Sequence, residues 1–187
     1  MNLLALRDLG RVAALATIVD NHHPFPGIIL DRLWNVVRAN HAMACLVDLL
    51  LTPAEQSAGG APDNMRLSYH PEGLRRFIGN WGETSTAYIQ WLHRDIRQTG
   101  DPALQDLLDE IVEHVPTAGK APNLAHDGEP YLRIRFPKAQ FEATFFTVAA
   151  TLGTPCDITL QELRLELFYP ADEHTTELME HLGRRGS

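Results

Sequence analysis

The sequence predicts a predominantly helical α+β protein: an N-terminal antiparallel helical bundle over 1–115, a linker over 116–130, and a small β-α-β-α segment over 131–187, packed on the bundle as one domain or standing beside it. Three observations carry that reading. Apolar residues recur every three or four positions through most of the first 115 residues, the period of a helix with one buried face. A stretch rich in Pro and Gly, PTAGKAPNLAHDGEP, then interrupts the pattern. Beyond it, YLRIRF and ELRLELFY alternate apolar and polar residues, the period of a strand with one wet face.

The first helix is expected over 3–19, where Leu4, Leu6, Leu9, Ala13, Ala16 and Val19 follow helical spacing. Pro24 and Pro26 bar its continuation. A second helix is expected from Pro26 to Leu51, with Asp31, Asn35, Arg38, His41, Cys45 and Asp48 as one polar stripe. His22 and His23 then sit at the corner of a helical hairpin, where their side chains can meet the free carbonyls that end the first helix. TPAEQSAGGAPDN, residues 52–64, reads as a loop. A third helix is expected from Pro71 to Gln98, broken or kinked where Gly79 and Gly82 flank Asn80 and Trp81. A fourth starts with Asp101 as N-cap and Pro102 in its first turn.

In the C-terminal segment, Leu132, Ile134 and Phe136 mark one strand. Phe141, Phe145, Val148 and Leu152 suggest a helix, Leu163, Leu165 and Leu167 a second strand, and 172–182 a closing helix. If the two strands are parallel neighbours, Arg133 and Arg135 face Glu162 and Glu166 across the ladder. Two strands make a marginal sheet. A further strand in 64–69 or 156–160, the helices, or a partner chain would have to complete it.

Composition excludes several function classes. The formal net charge of −8 opposes wrapping by duplex nucleic acid. Arg75 and Arg76, Arg94 and Arg97, and Arg133 and Arg135 are the best cationic pairs and form no run. Cys45 and Cys156 build no disulfide framework and no CxxC metal or redox motif. Charges interrupt every long apolar stretch, so no membrane span is expected, and a reducing cytoplasm is the simplest compartment. No HExxH, GxSxG, Walker or GxGxxG motif occurs.

Two constellations remain as candidate sites. Nine histidines are a mild excess. Glu177 and His181 lie four apart, with His174 two turns from His181, so His174, Glu177 and His181 could share one helix face as metal ligands. His22, His23 and His41 are the other candidate ligands. The second constellation is a ligand pocket beside the break at Trp81, lined by Glu83, Tyr88 and Trp91. The sequence names no cofactor. The missing catalytic motifs, the acidic balance and the incomplete sheet together favour a non-catalytic protein-interaction subunit of regulatory, accessory or inhibitor/immunity-like type, partnered by another protein or by itself. The competing reading is a histidine-dependent, metal-using enzyme or a small-ligand-binding protein with its pocket in the helical part.

Overall fold

Between Gly27 and Ala39 the chain folds as a β-hairpin, where the sequence pattern suggests a helix. Strand β1 (Gly27–Asp31) and strand β2 (Val36–Ala39) pair antiparallel. Asp31 makes the turn: its Oδ1 accepts from the backbone N–H groups of Leu33 and Asn35, and its Oδ2 from the Asn35 side chain. Trp34 occupies the left-handed region at φ 67° inside that turn. The β-branched Ile28, Ile29, Val36 and Val37 suit strands better than helix. The residues read as one polar helical stripe thus divide between a turn, a strand and the helix that follows. Asn40 N-caps that helix, accepting from Met43 N–H, and its amide donates to the carbonyls of Val19 and Phe25.

This computed structural model describes residues 3–57, 63–114, 131–138, 141–151 and 163–184. The expected linker 116–130, Cys156 and the possible strand at 156–160 lie outside the described residues. Helix α1 spans Leu3–Asn21, α2 His41–Leu50, α3 Pro53–Ser57 and α4 Asn64–Tyr69. A short 3-10 turn covers Leu74–Phe77, followed by α5 (Trp81–Thr99) and α6 (Pro102–Val112). Strands β3 (Leu132–Lys138), β4 (Phe141–Thr151) and β5 (Leu163–Pro170) then precede α7 (Glu173–Arg184). The expected break before Trp81 is present. Asn80 spends its side chain on β3, donating to Arg133 O and accepting from Arg135 N–H, and α5 starts after it. The Asp101 cap is also present, accepting from Ala103 N–H.

The five strands form one antiparallel sheet in the order β2-β1-β5-β4-β3. Segments expected as separate bundle and β-α-β-α units therefore share a sheet, joined where β1 pairs with β5. Two further expectations are corrected here. The stretch Phe141–Thr151 is a strand, not a crossover helix: Phe141 and Phe145 are four apart, so they share a face in either conformation, and the intervening inward Ala143 decides for the strand. The arginines of β3 do not face β5, because β4 lies between them and pairs with both. The strands missing from the sequence reading are β1, β2 and β4, while 64–69 is helical.

The sheet has two unlike faces. On the inner face Ile28, Leu30, Leu132, Ile134, Phe136, Phe141, Ala143, Phe145 and Phe168 join the main core with side chains from α2 and α4 to α7. On the outer face Ile29, Leu165 and Leu167 meet Leu15 and Val19 of α1 in a smaller cluster. Strand β5 is central and covered on both faces. Among the described residues, no helix is long and apolar enough to cross a membrane.

Candidate ligand cavity

The main core is not filled. A cavity of about 230 Å³ lies between the inner sheet face and the short helices above it. Its helical wall comes from Met43, Leu46, Val47 and Leu50 of α2 and from Leu67 and Ser68 of α4. Ile28 of β1, Ile134 and Phe136 of β3, and Phe168 of β5 form the sheet wall. Leu74, Ile78 and Tyr88 close the end next to α5. The exposed lining residues Ala39, Ala44 and Asp48 mark the side facing solvent. There Gln56 of α3 donates to the Asp48 carboxylate at 2.9 Å and to Leu51 O at 3.2 Å, a latch between α2 and α3.

The sequence explains the void. A four-residue 3-10 turn and two helices of five and six residues cover this part of the sheet, in place of one long helix. Short helices stay where caps and ion pairs fix them. Asp63 caps α4 through the N–H groups of Met65 and Arg66 and pairs with the Arg66 guanidinium at 2.6 Å. The Arg76 guanidinium joins Glu55 of α3 to Glu72. This lid is thus held from its polar outside, which leaves its apolar underside free to stand off from the sheet.

Few polar atoms reach the interior. Asn64 lines the cavity, and its Nδ2 is buried without a hydrogen-bond partner. Glu166 of β5 is 0% exposed. Its Oε1 accepts from the Tyr88 hydroxyl at 3.3 Å, and its Oε2 is buried without a partner. Burial pushes the Glu166 carboxyl up to about 7, against the opposing pull of the Arg164 charge and the Tyr88 hydrogen bond. Burial also raises Tyr88 well above its ordinary value, and the neighbouring Glu166 charge adds to the effect. Two residues away on β5, Arg164 pairs with Asp95 of α5 and lies 3.9 Å over the Trp34 ring.

The histidines expected as ligands are spread over the molecule. His22 Nε2 donates to Phe168 O at 2.9 Å, and its ring packs edge-on against Tyr169. The helix-end carbonyls expected to receive its side chain are instead approached by backbone N–H groups, His22 to Val19 and His23 to Asp20. The His23 ring lies against Gly183 of α7, where an added Cβ would come within 2.8 Å of it. His41 is exposed and touches Cys45 Sγ at 3.4 Å. His174, Glu177 and His181 are exposed on α7. Among the described residues, no group of three or more His, Cys, Asp and Glu side chains gathers to hold a metal ion.

Of the residues expected around Trp81, Tyr88 lines the cavity. Trp81 packs edge-on against Tyr69, Trp91 stacks on Trp34, and Glu83 is exposed and accepts from Asn80. Sequence reasoning missed the lining residues Met43, Ser68 and Phe168, and the buried Glu166 next to Phe168 on the same strand face. One signal was present for the last two. The apolar run Leu167–Phe168–Tyr169 breaks strict alternation, as a strand covered on both faces does, and it implies that Glu166 too is covered.

Residues 12–182 match the family model described as MmyB-like transcription regulator ligand binding domain. No curated protein matches the chain. The family match overturns the expectation of an acidic protein-interaction subunit in favour of the competing small-ligand reading.

Proposed function

We propose, from the premise that this chain belongs to the MmyB-like transcription regulator ligand binding domain family, that it is the sensing part of a transcription regulator and takes up a small, mainly apolar molecule in the cavity beneath α2 and α4. The observation that carries this reading is the cavity itself. Protein interiors are close-packed, and voids larger than a water molecule are few. At ~24 cal/mol per Å³ of void, an unfilled cavity of about 230 Å³ costs on the order of 5 kcal/mol against a filled core. That is comparable to the whole stability of many domains. A molecule that fills the cavity recovers contacts the protein alone does not make. The volume lies near the small end of ligand pockets (~300–1,000 Å³) and suits a short aliphatic or single-ring compound. The net charge of −8 fits a sensing role better than a DNA-contacting one.

The test is uptake. An environment-sensitive apolar fluorophore titrated into the purified chain should bind saturably at one site per chain. Native mass spectrometry of gently purified protein should show a matching small-molecule adduct or its displacement by the fluorophore. Neither saturable uptake nor any adduct would overturn the reading.

A further inference from the structure

We propose that α3 is the door of this cavity: a ligand enters and leaves by displacing α3 from α2, and the Gln56 side chain is the latch that sets how fast it does so. The inference rests on the ligand-cavity reading and adds the route and its control.

How each wall is fastened decides which one opens. The sheet wall is closed by antiparallel ladders on both sides of β5. Helix α2 is fixed by the buried Ala42, Met43, Leu46 and Leu50. Helix α4 is fixed by Met65 and Tyr69, both 0% exposed, and the Tyr69 hydroxyl donates to Ser85 O of α5 at 2.6 Å. Displacing either helix would carry apolar side chains out of the core, which forfeits the main gain of folding. Helix α3 differs. Its five residues, PAEQS, include no Leu, Ile, Val, Met or aromatic residue. Among the described residues, neither apolar cluster contains a residue of α3. Moving it uncovers little apolar surface of its own.

The side chains of Glu55 and Gln56 fasten α3 through polar bonds. Gln56 Nε2 donates to Asp48 Oδ1 at 2.9 Å and to Leu51 O at 3.2 Å. One Glu55 oxygen takes the Arg76 guanidinium, and the other accepts from the Thr52 N–H and hydroxyl. Asp48 and Thr52 are exposed, and Glu55 and Gln56 are half-buried. Water can therefore replace these bonds as α3 moves, and such exchanges are nearly balanced.

The latch also stands in the right place. Asp48 and Gln56 both line the cavity on its solvent side, with the exposed Ala39 and Ala44, whereas Leu74, Ile78 and Tyr88 close the other end. The turning point is Thr52. Leu51 before it is 3% exposed and donates its N–H to Val47 O, so α2 stays in place. A swing about Thr52 parts Gln56 from Asp48 and leaves the apolar lining intact.

A door has a kinetic signature. It changes association and dissociation by the same factor and leaves Kd alone, because the latch is the same in the empty and the filled protein. Stopped-flow mixing with the apolar fluorophore measures both rates on the wild type, Gln56→Ala, Arg76→Gln and Arg32→Gln. Arg76 pairs with α3 but does not line the cavity, so its variant tests the door without altering the pocket. Both rates should rise threefold or more in Gln56→Ala and Arg76→Gln, with Kd in Arg76→Gln within twofold of wild type. Arg32→Gln breaks an ion pair with Asp101 that holds neither α3 nor a lining residue, and its rates should stay at the wild-type values. Unchanged rates in Gln56→Ala and Arg76→Gln overturn the door and leave the cavity reading standing. So does faster dissociation alone in Arg76→Gln, which would make Arg76 a holder of the ligand, or an equal acceleration in Arg32→Gln, which would mean general loosening. No saturable uptake by the wild type overturns the cavity reading itself. If a variant does not fold, a cross-link decides. Asp48→Cys with Gln56→Cys, in a chain carrying Cys45→Ser and Cys156→Ser, is joined by a short bifunctional thiol reagent. Both rates should fall tenfold or more on joining, and equal rates before and after overturn the door.

Discussion

Ser68→Leu is the sharpest probe of the cavity, because it works in opposite directions on stability and on binding. Ser68 is 3% exposed and lines the cavity from α4. Leucine there removes a buried hydroxyl and adds two to three methylene equivalents to an empty volume. At about 0.8 kcal/mol per buried CH₂, the unliganded protein should gain ~2 kcal/mol. Overpacking a filled core by the same groups would instead cost about 1–3 kcal/mol. The sign therefore reports whether the space is empty. For a chain of 187 residues the gain corresponds to a Tm increase of about 4–8 °C. Differential scanning calorimetry of protein stripped of bound small molecules measures it, and urea unfolding gives the same difference independently. The same leucine occupies ligand space, so the apolar fluorophore should bind at least tenfold more weakly. The ~2.7 kcal/mol that a ligand at a hundred times its Kd confers on the wild type should shrink accordingly. A variant less stable than wild type by 1 kcal/mol or more, with fluorophore binding intact, would refute the reasoning.

Three further outcomes are expected. The folded-state carboxyl of Glu166 titrates near 7, above the ordinary 4.5, so its proton is favoured by folding: the associated stability is complete below pH 4.5 and is lost as pH rises through 7. Glu166→Gln should therefore match wild type near pH 4.5 and exceed it by ~3 kcal/mol at pH 8 in urea unfolding, and parallel pH profiles would refute this. Asp95→Asn leaves the Arg164 guanidinium, on a side chain 12% exposed, without its carboxylate; a loss of ~3 kcal/mol is expected, and one under 1 kcal/mol would show that the pair is screened. Gly73 turns so tightly behind α4 that an added Cβ would meet Leu67 O at 2.0 Å, so Gly73→Ala should lower stability by about 2–3 kcal/mol in thermal unfolding, and an unchanged Tm would refute the close approach.

Local chemistry was legible in the sequence wherever one residue dictates the backbone. Asp101 and Pro102 start α6 as expected, and the chain breaks before Trp81 where Asn80 turns away to β3. Strands β3 and β5 followed from the alternation of apolar and polar residues, which in β5 holds as far as Leu167. The misreadings share one cause. In 26–51 and 138–152 apolar residues four apart satisfy both periods, so helix and strand cannot be separated by spacing alone. Tertiary partners decide: β1 and β4 flank β5, which was itself legible, but no local signal says that β5 needs two neighbours. The cavity was less legible still. It arises from how short helices stand over the sheet, a matter of packing, and of the expected pocket residues only Tyr88 reaches it.

Strand β5 also carries a safeguard against misalignment. Its apolar residues on either side would let it sit almost as well in a shifted pairing, since Leu165 and Leu167 alternate with inward positions that are themselves covered. A slip by one residue would turn Arg164 and Glu166 toward Leu15 and Val19 of α1, where no Asp95, Trp34 or Tyr88 awaits them. The two charged side chains thus act as a key that fits one lock, excluding the neighbouring alignment at a cost of several kcal/mol even if they add little to the correct one. Replacing both with leucine should remove that exclusion, and hydrogen exchange along β5 would then report two alignments in place of one.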